Sequence, residues 1–316
     1  MALTLTEALL TTELRQYIGD GTDTFADRKL HRACITGLAR LGRRRAWSFL
    51  RDTYPVNAVP DWNDGVTRTV AVAIGSTSLT FSGGNLPTDI VSGGAWIEFN
   101  GQRRAYEFTV RGGNTTATIR NAYGNTDATD LTVATFRIFY PTIDLPANFK
   151  SLRKVIDDGR NSELEIVESD VMADEHASYA GVGSPNYCSV RAKRNDPNIM
   201  QLWLYPAPDL QETYTILYNR VPGWYDSSTV ATAAFSLEPT TTAYYCDWPL
   251  HLKDLLLASC KVSLIAEGAK GLHEGAVLSE YNELVRAAES DDERQPEHEW
   301  LGRIKRPASE TWQIGT

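Results

Sequence analysis

The sequence predicts an α+β protein: an α-helical bundle body with an inserted all-β barrel-like domain, an aromatic β-hairpin and an extended C-terminal arm. Three observations predict it. Helical periodicity occupies both ends of the chain, a long middle stretch is rich in Thr, Gly, Asn and Val in short alternating runs, and the last residues are polar with widely spaced apolar side chains. At 316 residues the chain has room for about two domains, and 42% hydrophobic with 22% charged residues suits a globular protein rather than a disordered or fibrous one. The expected divisions are 1–54 for an N-terminal helical hairpin, 55–141 for the insertion, 142–289 for the rest of the body and 290–316 for the arm.

Leu10, Leu14, Tyr17 and Ile18 recur at helical spacing, which predicts a helix over 5–18. Thr4 with Glu7, and Thr24 with Asp27, have capping-box spacing, and Gly19-Asp20-Gly21 separates the two helices. The second helix, over 25–50, places Leu30, Cys34, Leu38 and Leu41 on one side and most of its arginines elsewhere. Alternation then predicts strands over 67–73, 78–81, 95–99, 105–110, 116–120 and 132–140, with turns at Ser82-Gly83-Gly84, Asn100-Gly101, Arg111-Gly112-Gly113 and Tyr123-Gly124-Asn125. Five or six such strands suit a small barrel.

Beyond the insertion, 154–157 and 163–167 read as strands, 170–179 as a short helix, and Gly181-Val182-Gly183-Ser184-Pro185 as a turn. The β-rich runs 199–205 and 213–221 flank Pro206-Ala207-Pro208-Asp209, which predicts a hairpin. Pro249 opens a helix with Leu252, Leu255, Leu256, Ser259, Val262 and Ser263 on one side, and another helix follows over 272–288. Residues 290–316 are acidic at first, then carry isolated Trp300, Leu301, Ile304 and Trp312. An arm that orders on a partner has this form.

A net charge of −9 argues against a nucleic-acid backbone as the main partner. No run approaches the length of a membrane span and the first residues lack a secretory signal, so synthesis in the cytosol and no membrane partner are expected. Cys34, Cys188, Cys246 and Cys260 show no C-x-x-C spacing and read as small apolar fillers. His31, His176, His251, His273 and His298 lie far apart and are expected at surface or half-buried positions.

Gly181-Val182-Gly183 lacks the third glycine of a dinucleotide fingerprint, and no phosphate-binding loop, zinc-protease helix or nucleophile elbow occurs. Asp61, Asp64, Asp89 and Glu98 could supply a carboxylate pair for glycoside hydrolysis but read better as solvated loop residues. No catalytic, cofactor-binding or metal-binding residue is therefore expected. The densest charge feature is Arg40, Arg43, Arg44, Arg45 and Arg51. It reads either as a solvated helix face or as a contact to an acidic protein surface or DNA phosphate, with protein favoured because the chain is acidic. Trp47 and Phe49 read as core. Trp203, Tyr205, Tyr214, Tyr218, Trp224 and Tyr225 could line a sugar-binding surface or fill alternating core and interface positions.

Several stretches carry a likeness. Ala46-Trp47-Ser48-Phe49 closes the early helix, and Tyr140-Pro141-Thr142-Ile143-Asp144-Leu145-Pro146-Ala147-Asn148-Phe149 follows the insertion. Gly183-Ser184-Pro185-Asn186-Tyr187 leads through Leu202-Trp203-Leu204-Tyr205-Pro206-Ala207-Pro208-Asp209 to Tyr214-Thr215-Ile216-Leu217-Tyr218. In this order they resemble the head-to-tail adaptors (connectors) of tailed bacteriophages, the group that includes the tail tubular protein A type. The resemblance implies a structural protein of the virion neck with no catalysis and no cofactor. It implies a homo-oligomeric ring, commonly of twelve copies, between the portal protein and the tail or nozzle protein, with DNA passing through its channel without sequence specificity. In such a ring Trp300, Leu301, Ile304 and Trp312 are expected to bind the portal, and Arg40, Arg43, Arg44, Arg45 and Arg51 to face a neighbouring subunit or the portal. The rival expectations are a carbohydrate-binding or glycan-degrading phage tail module and an oligonucleotide-binding barrel at 55–141.

Overall fold

The structure, a computed structural model, describes residues 5–18, 24–59, 61–62, 67–99, 104–124, 130–172, 182–193, 196–226, 244–269 and 272–293. The chain divides into two compact units, one formed by Met1–Arg51 with Val221–Thr316, the other by Asp52–Arg220. In chain order the first unit supplies β1 (Leu5–Thr6), α1 (Glu7–Ile18) and α2 (Thr24–Arg44). The second runs from β2 (Arg51–Asn57) to β16 (Thr213–Arg220), after which β17 (Trp224–Asp226), β18 (Tyr244–Cys246), α3 (Lys253–Ala266) and α4 (Glu274–Glu293) complete the first.

In the first unit α3 is buried at every position from 255 to 261, as expected of a helix covered by neighbours on all sides, and α1, α2 and α4 pack against it. Fully buried Leu10, Leu14, Leu30 and Leu41 supply the facing stripes. The approach of α2 to α3 is close because Gly37 has no side chain: a Cβ there would lie 2.7 Å from Cys260 Sγ and 2.9 Å from the Cys260 backbone nitrogen. The α1 cap is Thr6, whose hydroxyl accepts the Leu9 N–H at 3.3 Å; Thr4, Gly19-Asp20-Gly21 and the side chain of Thr24 lie outside the described residues.

Helix α2 stops at Arg44 instead of continuing to 50, and Ser48–Leu50 forms a separate 3-10 turn. The Trp47 indole N–H donates to the Leu41 carbonyl at 2.9 Å, which satisfies one of the carbonyls a helix end leaves open. Trp47, Phe49 and Trp248 then meet with ring centroids 5.0 to 5.8 Å apart, so the reading of Trp47 and Phe49 as core residues holds.

In the second unit β3 (Thr69–Val72), β4 (Ser78–Ser82), β5 (Trp96–Phe99), β6 (Ala105–Arg111), β7 (Thr116–Ile119), β8 (Leu131–Ala134) and β9 (Phe136–Phe139) form one sheet in the order β8-β3-β4-β7-β6-β5-β9. Alternate residues point inward, among them Val70, Val72, Leu79, Phe81, Ala117 and Ile119. The two edge strands are separated only by Thr135, so one stretch bent at that residue pairs with β3 by its first half and with β5 by its second. This brings the edges of the sheet together.

The remaining strands are β10 (Thr142–Asp144), β11 (Phe149–Asp157), β12 (Ser162–Glu163), β13 (Glu165–Ile166), β14 (Tyr187–Lys193) and β15 (Asp196–Tyr205). They make two four-stranded sheets, β10-β15-β14-β13 and β12-β11-β16-β2. Cys188, Leu202 and Leu204 of the first and Val56, Val155, Tyr214, Ile216 and Tyr218 of the second share one core, the arrangement of a sandwich.

Two expectations are overturned. The protein is a mixed, mostly β fold and not an α-helical bundle body with an inserted barrel-like domain, because 142–220 folds as a sandwich with its own core while the long helices belong to the first unit. The aromatic β-hairpin also fails: β15 pairs with β10 and β14, whereas β16 pairs with β11 and lies beside β2. Pro206 and Pro208 end the strand, and the turn crosses between layers so that apolar faces of β15 and β16 meet across the core instead of edge to edge. Of the expected arm, 290–293 form the last turn of α4 and the rest lies outside the described residues, as does most of the short helix expected over 170–179. Among the described residues no helix is long and apolar enough to cross a membrane.

Candidate interaction surfaces

The C-terminal turn of α4 carries Glu289, Asp291, Asp292 and Glu293 and no basic residue, an arrangement that the helix dipole disfavours. Arginines from the end of α2 offset it. Arg44 Nε donates to Glu289 Oε1 at 2.8 Å, and Arg45 donates to the Glu289 carbonyl at 3.3 Å and lies 3.3 Å from Asp292 and 3.5 Å from Glu293. Asp292 also accepts the backbone N–H and the hydroxyl of Ser48. The Arg45 guanidinium sits 5.6 Å from the centre of the Trp47 ring. Charge and packing together clamp the end of α2 to the end of α4.

Of the other cluster members, Arg40 donates to the Ser259 carbonyl at 3.0 Å, Arg51 is half-buried at the start of β2, and Arg43 is exposed with no partner among the described residues. Arg40, Arg44 and Arg45 are thus bonded within the chain, a use that neither sequence reading weighed. The partners of Arg44 and Arg45 lie 245 and 248 residues away, beyond the reach of any local pattern. Trp300, Leu301, Ile304 and Trp312 lie outside the described residues; their stretch of sequence follows directly from the clamped end of α4.

The stretches that carry the adaptor resemblance are architectural. Arg160 donates from Nε to fully buried Asp157 at 2.5 Å, from its backbone N–H to the same carboxylate at 2.9 Å, to Asn186 at 3.3 Å and to the Pro185 carbonyl. Burial pushes the Asp157 carboxyl up, but the backbone N–H groups of Arg160 and Gly159 and the Arg160 guanidinium outweigh it and hold the carboxyl below its ordinary value. Ser184 and Tyr214 both donate to Glu212, and burial with that carboxylate raises the Tyr214 phenol well above its ordinary value. The Gly183-to-Tyr187 turn is therefore locked to the turn after β11. Trp203, Tyr214, Tyr218, Trp224 and Tyr225 are buried and Tyr205 half-buried, so these residues offer no open sugar platform.

Among the candidate carboxylates, Asp61 lies 3.3 Å from Arg137, and Glu98 stands directly across from the same arginine on the paired strands β5 and β9. Burial pushes both carboxyls up, opposed by Arg137. Glu98, Thr135, Phe136 and Arg137 bound a notch of about 360 Å³ where the sheet edges meet. A single guanidinium shared by two carboxylates is a structural neutralisation, and Asp89 accepts the Tyr140 hydroxyl at 3.0 Å. Asp64 lies outside the described residues.

All four cysteines are free and buried. A hydrogen bond with Cys260, and then burial, raise the Cys34 thiol above its ordinary value. His31 departs from expectation: it is 2% exposed, its Nδ1 contacts the Glu7 carboxylate and its ring meets Tyr244 edge-on. His251 and His273 are exposed, and His176 and His298 lie outside the described residues. Among the described residues no group of His, Cys, Asp and Glu could hold a metal ion. No protein-family model matches the chain, and no curated protein matches it significantly.

Proposed function

We propose that the protein is a non-catalytic component of a phage virion: the head-to-tail adaptor whose copies form a ring joining the capsid portal to the tail or nozzle, with DNA passing through the channel. The clamp between α2 and α4 supports this reading most directly. It fixes the point from which the stretch bearing Trp300, Leu301, Ile304 and Trp312 departs, and a fixed departure point lowers the entropy cost of seating such a stretch on a partner. The motif stretches that carry the resemblance agree with a scaffold role, because their side chains fill cores and lock turns.

The test is negative-stain imaging of the purified protein mixed with the portal protein of the same phage, alongside the double variant Trp300→Ala with Trp312→Ala. Rings on the portal are expected from the wild type, with at least tenfold weaker portal binding by the variant. A monomer that ignores the portal and instead binds a glycan array would overturn the reading in favour of a carbohydrate-binding tail module.

A further inference from the structure

We infer that neighbouring copies associate head to tail through the outer face of α2 on one copy and an acidic face of α4 on the next; this rests on the ring reading above. On α2, Arg28, Arg32, Thr36, Ala39 and Arg43 follow at intervals of four, four, three and four residues. At 3.6 residues per turn they fall within about 80° of one another. Arg28, Arg32, Thr36 and Arg43 are exposed and Ala39 is half-buried. On α4, Ala276, Glu280, Glu283, Ala287 and Asp291 follow at four, three, four and four, also within about 80°. All five are exposed. Each stripe is about 22 Å long at 1.5 Å per residue.

The two stripes match in three ways. They are of equal length and opposite charge, and each carries short side chains beside its charges, which lets helix axes approach to about 8 Å. Charge remains exposed on both stripes: Arg43 is exposed, Arg32 meets Glu267 only at 3.5 Å with its side chain 59% exposed, and Glu280 remains 46% exposed beside Lys261. Arg286 lies off the acidic stripe, towards the other flank of α4. Charge also decides which faces can meet. A contact of α2 with α2 would set arginine against arginine, whereas α2 against α4 joins opposite charges, and used once per neighbour it is the heterologous contact from which closed rings are built.

The experiment uses the full chain with the portal protein present, and scores rings by negative stain and association by sedimentation velocity. One variant carries Arg32→Glu and Arg43→Glu, another Glu283→Lys and Asp291→Lys. Each alone should associate at least tenfold more weakly than wild type with an unchanged circular dichroism spectrum. An equimolar mixture of the two should recover rings, because reversed α2 faces of one variant meet reversed α4 faces of the other. Wild-type rings should weaken as salt is raised. Wild-type rings with either variant assembling equally well, or no recovery on mixing, would overturn this interface and leave the ring reading standing. A wild type that forms no ring at all would overturn both.

Discussion

Replacing Gly37 by alanine should destabilise the helical unit, against the usual effect of removing glycine from a helix interior. In an unconstrained helix the change would stabilise by about 1 kcal/mol. Here the added Cβ would lie 2.7 Å from Cys260 Sγ, 2.9 Å from the Cys260 nitrogen and 3.0 Å from its Cα. Two of those neighbours are backbone and cannot rotate away, so α2 and α3 must separate by about 0.5–1 Å, which forfeits roughly a quarter to a half of the dispersion energy at that contact. Overpacking of this kind costs about 1–3 kcal/mol, and the backbone clash places it in the upper part of that range. Subtracting the propensity gain leaves a net loss of about 1–2 kcal/mol. Gly275→Ala is the matched control: it lies in the first turn of α4 with nothing within 4 Å, and should stabilise by up to about 1 kcal/mol. Urea unfolding followed by helical circular dichroism would read both as midpoint shifts of opposite sign. A Gly37→Ala midpoint that rises as far as that of Gly275→Ala would refute the close approach.

Asp157→Asn should lose about 1–3 kcal/mol at neutral pH, because the Arg160 donors then face a neutral amide. The folded carboxyl is more acidic than the unfolded one, so its contribution is present above about pH 4 and is lost as pH falls towards its depressed value. The wild-type and variant stability curves should converge in acid, and a constant gap between pH 7 and pH 3 would count against the pairing. Separately, excision of Asp52–Arg220 with a short Gly/Ser join should leave a helical remainder that unfolds cooperatively. The two strands that lead into and out of the excised unit run antiparallel, with Asp52 3.9 Å from Arg220 at one end and Asn57 2.9 Å from Thr213 at the other. Loss of the helical signal in the excised protein would show that the first unit cannot fold alone.

The strands of the seven-stranded sheet were legible because each carries its own alternation between glycine-bearing turns: 78–81 was expected and Ser78–Ser82 found, 105–110 expected and Ala105–Arg111 found. The break at Thr135 was not, since a bent strand keeps its alternation on both sides of the bend. The start of α1 is read from Thr4, two residues before the observed cap Thr6, and the end of α2 is missed because its stop signal is the Trp47 indole, folded back on the Leu41 carbonyl, and not a glycine. Partner choice was the harder matter. Residues 199–205 and 213–221 look like a hairpin because they are close in sequence, yet Trp203 pairs with Thr142 and Ser189, and Tyr218 with Leu152. The arginine clamp and the burial of His31 on Glu7 were invisible for the same reason: their chemistry depends on contacts between distant segments.

The first unit is assembled from two segments that Asp52–Arg220 separates, and translation supplies them at different times. When α2 leaves the ribosome its stripe of Leu30, Cys34, Leu38 and Leu41 has no α3 to cover it. At about 5–20 residues per second, the stretch up to Leu255 takes on the order of 10–40 s to follow. Only late in that interval, once Arg220 has been made, can the nascent chain hold a complete sandwich behind the uncovered amphipathic helix, a substrate suited to a ribosome-associated holdase.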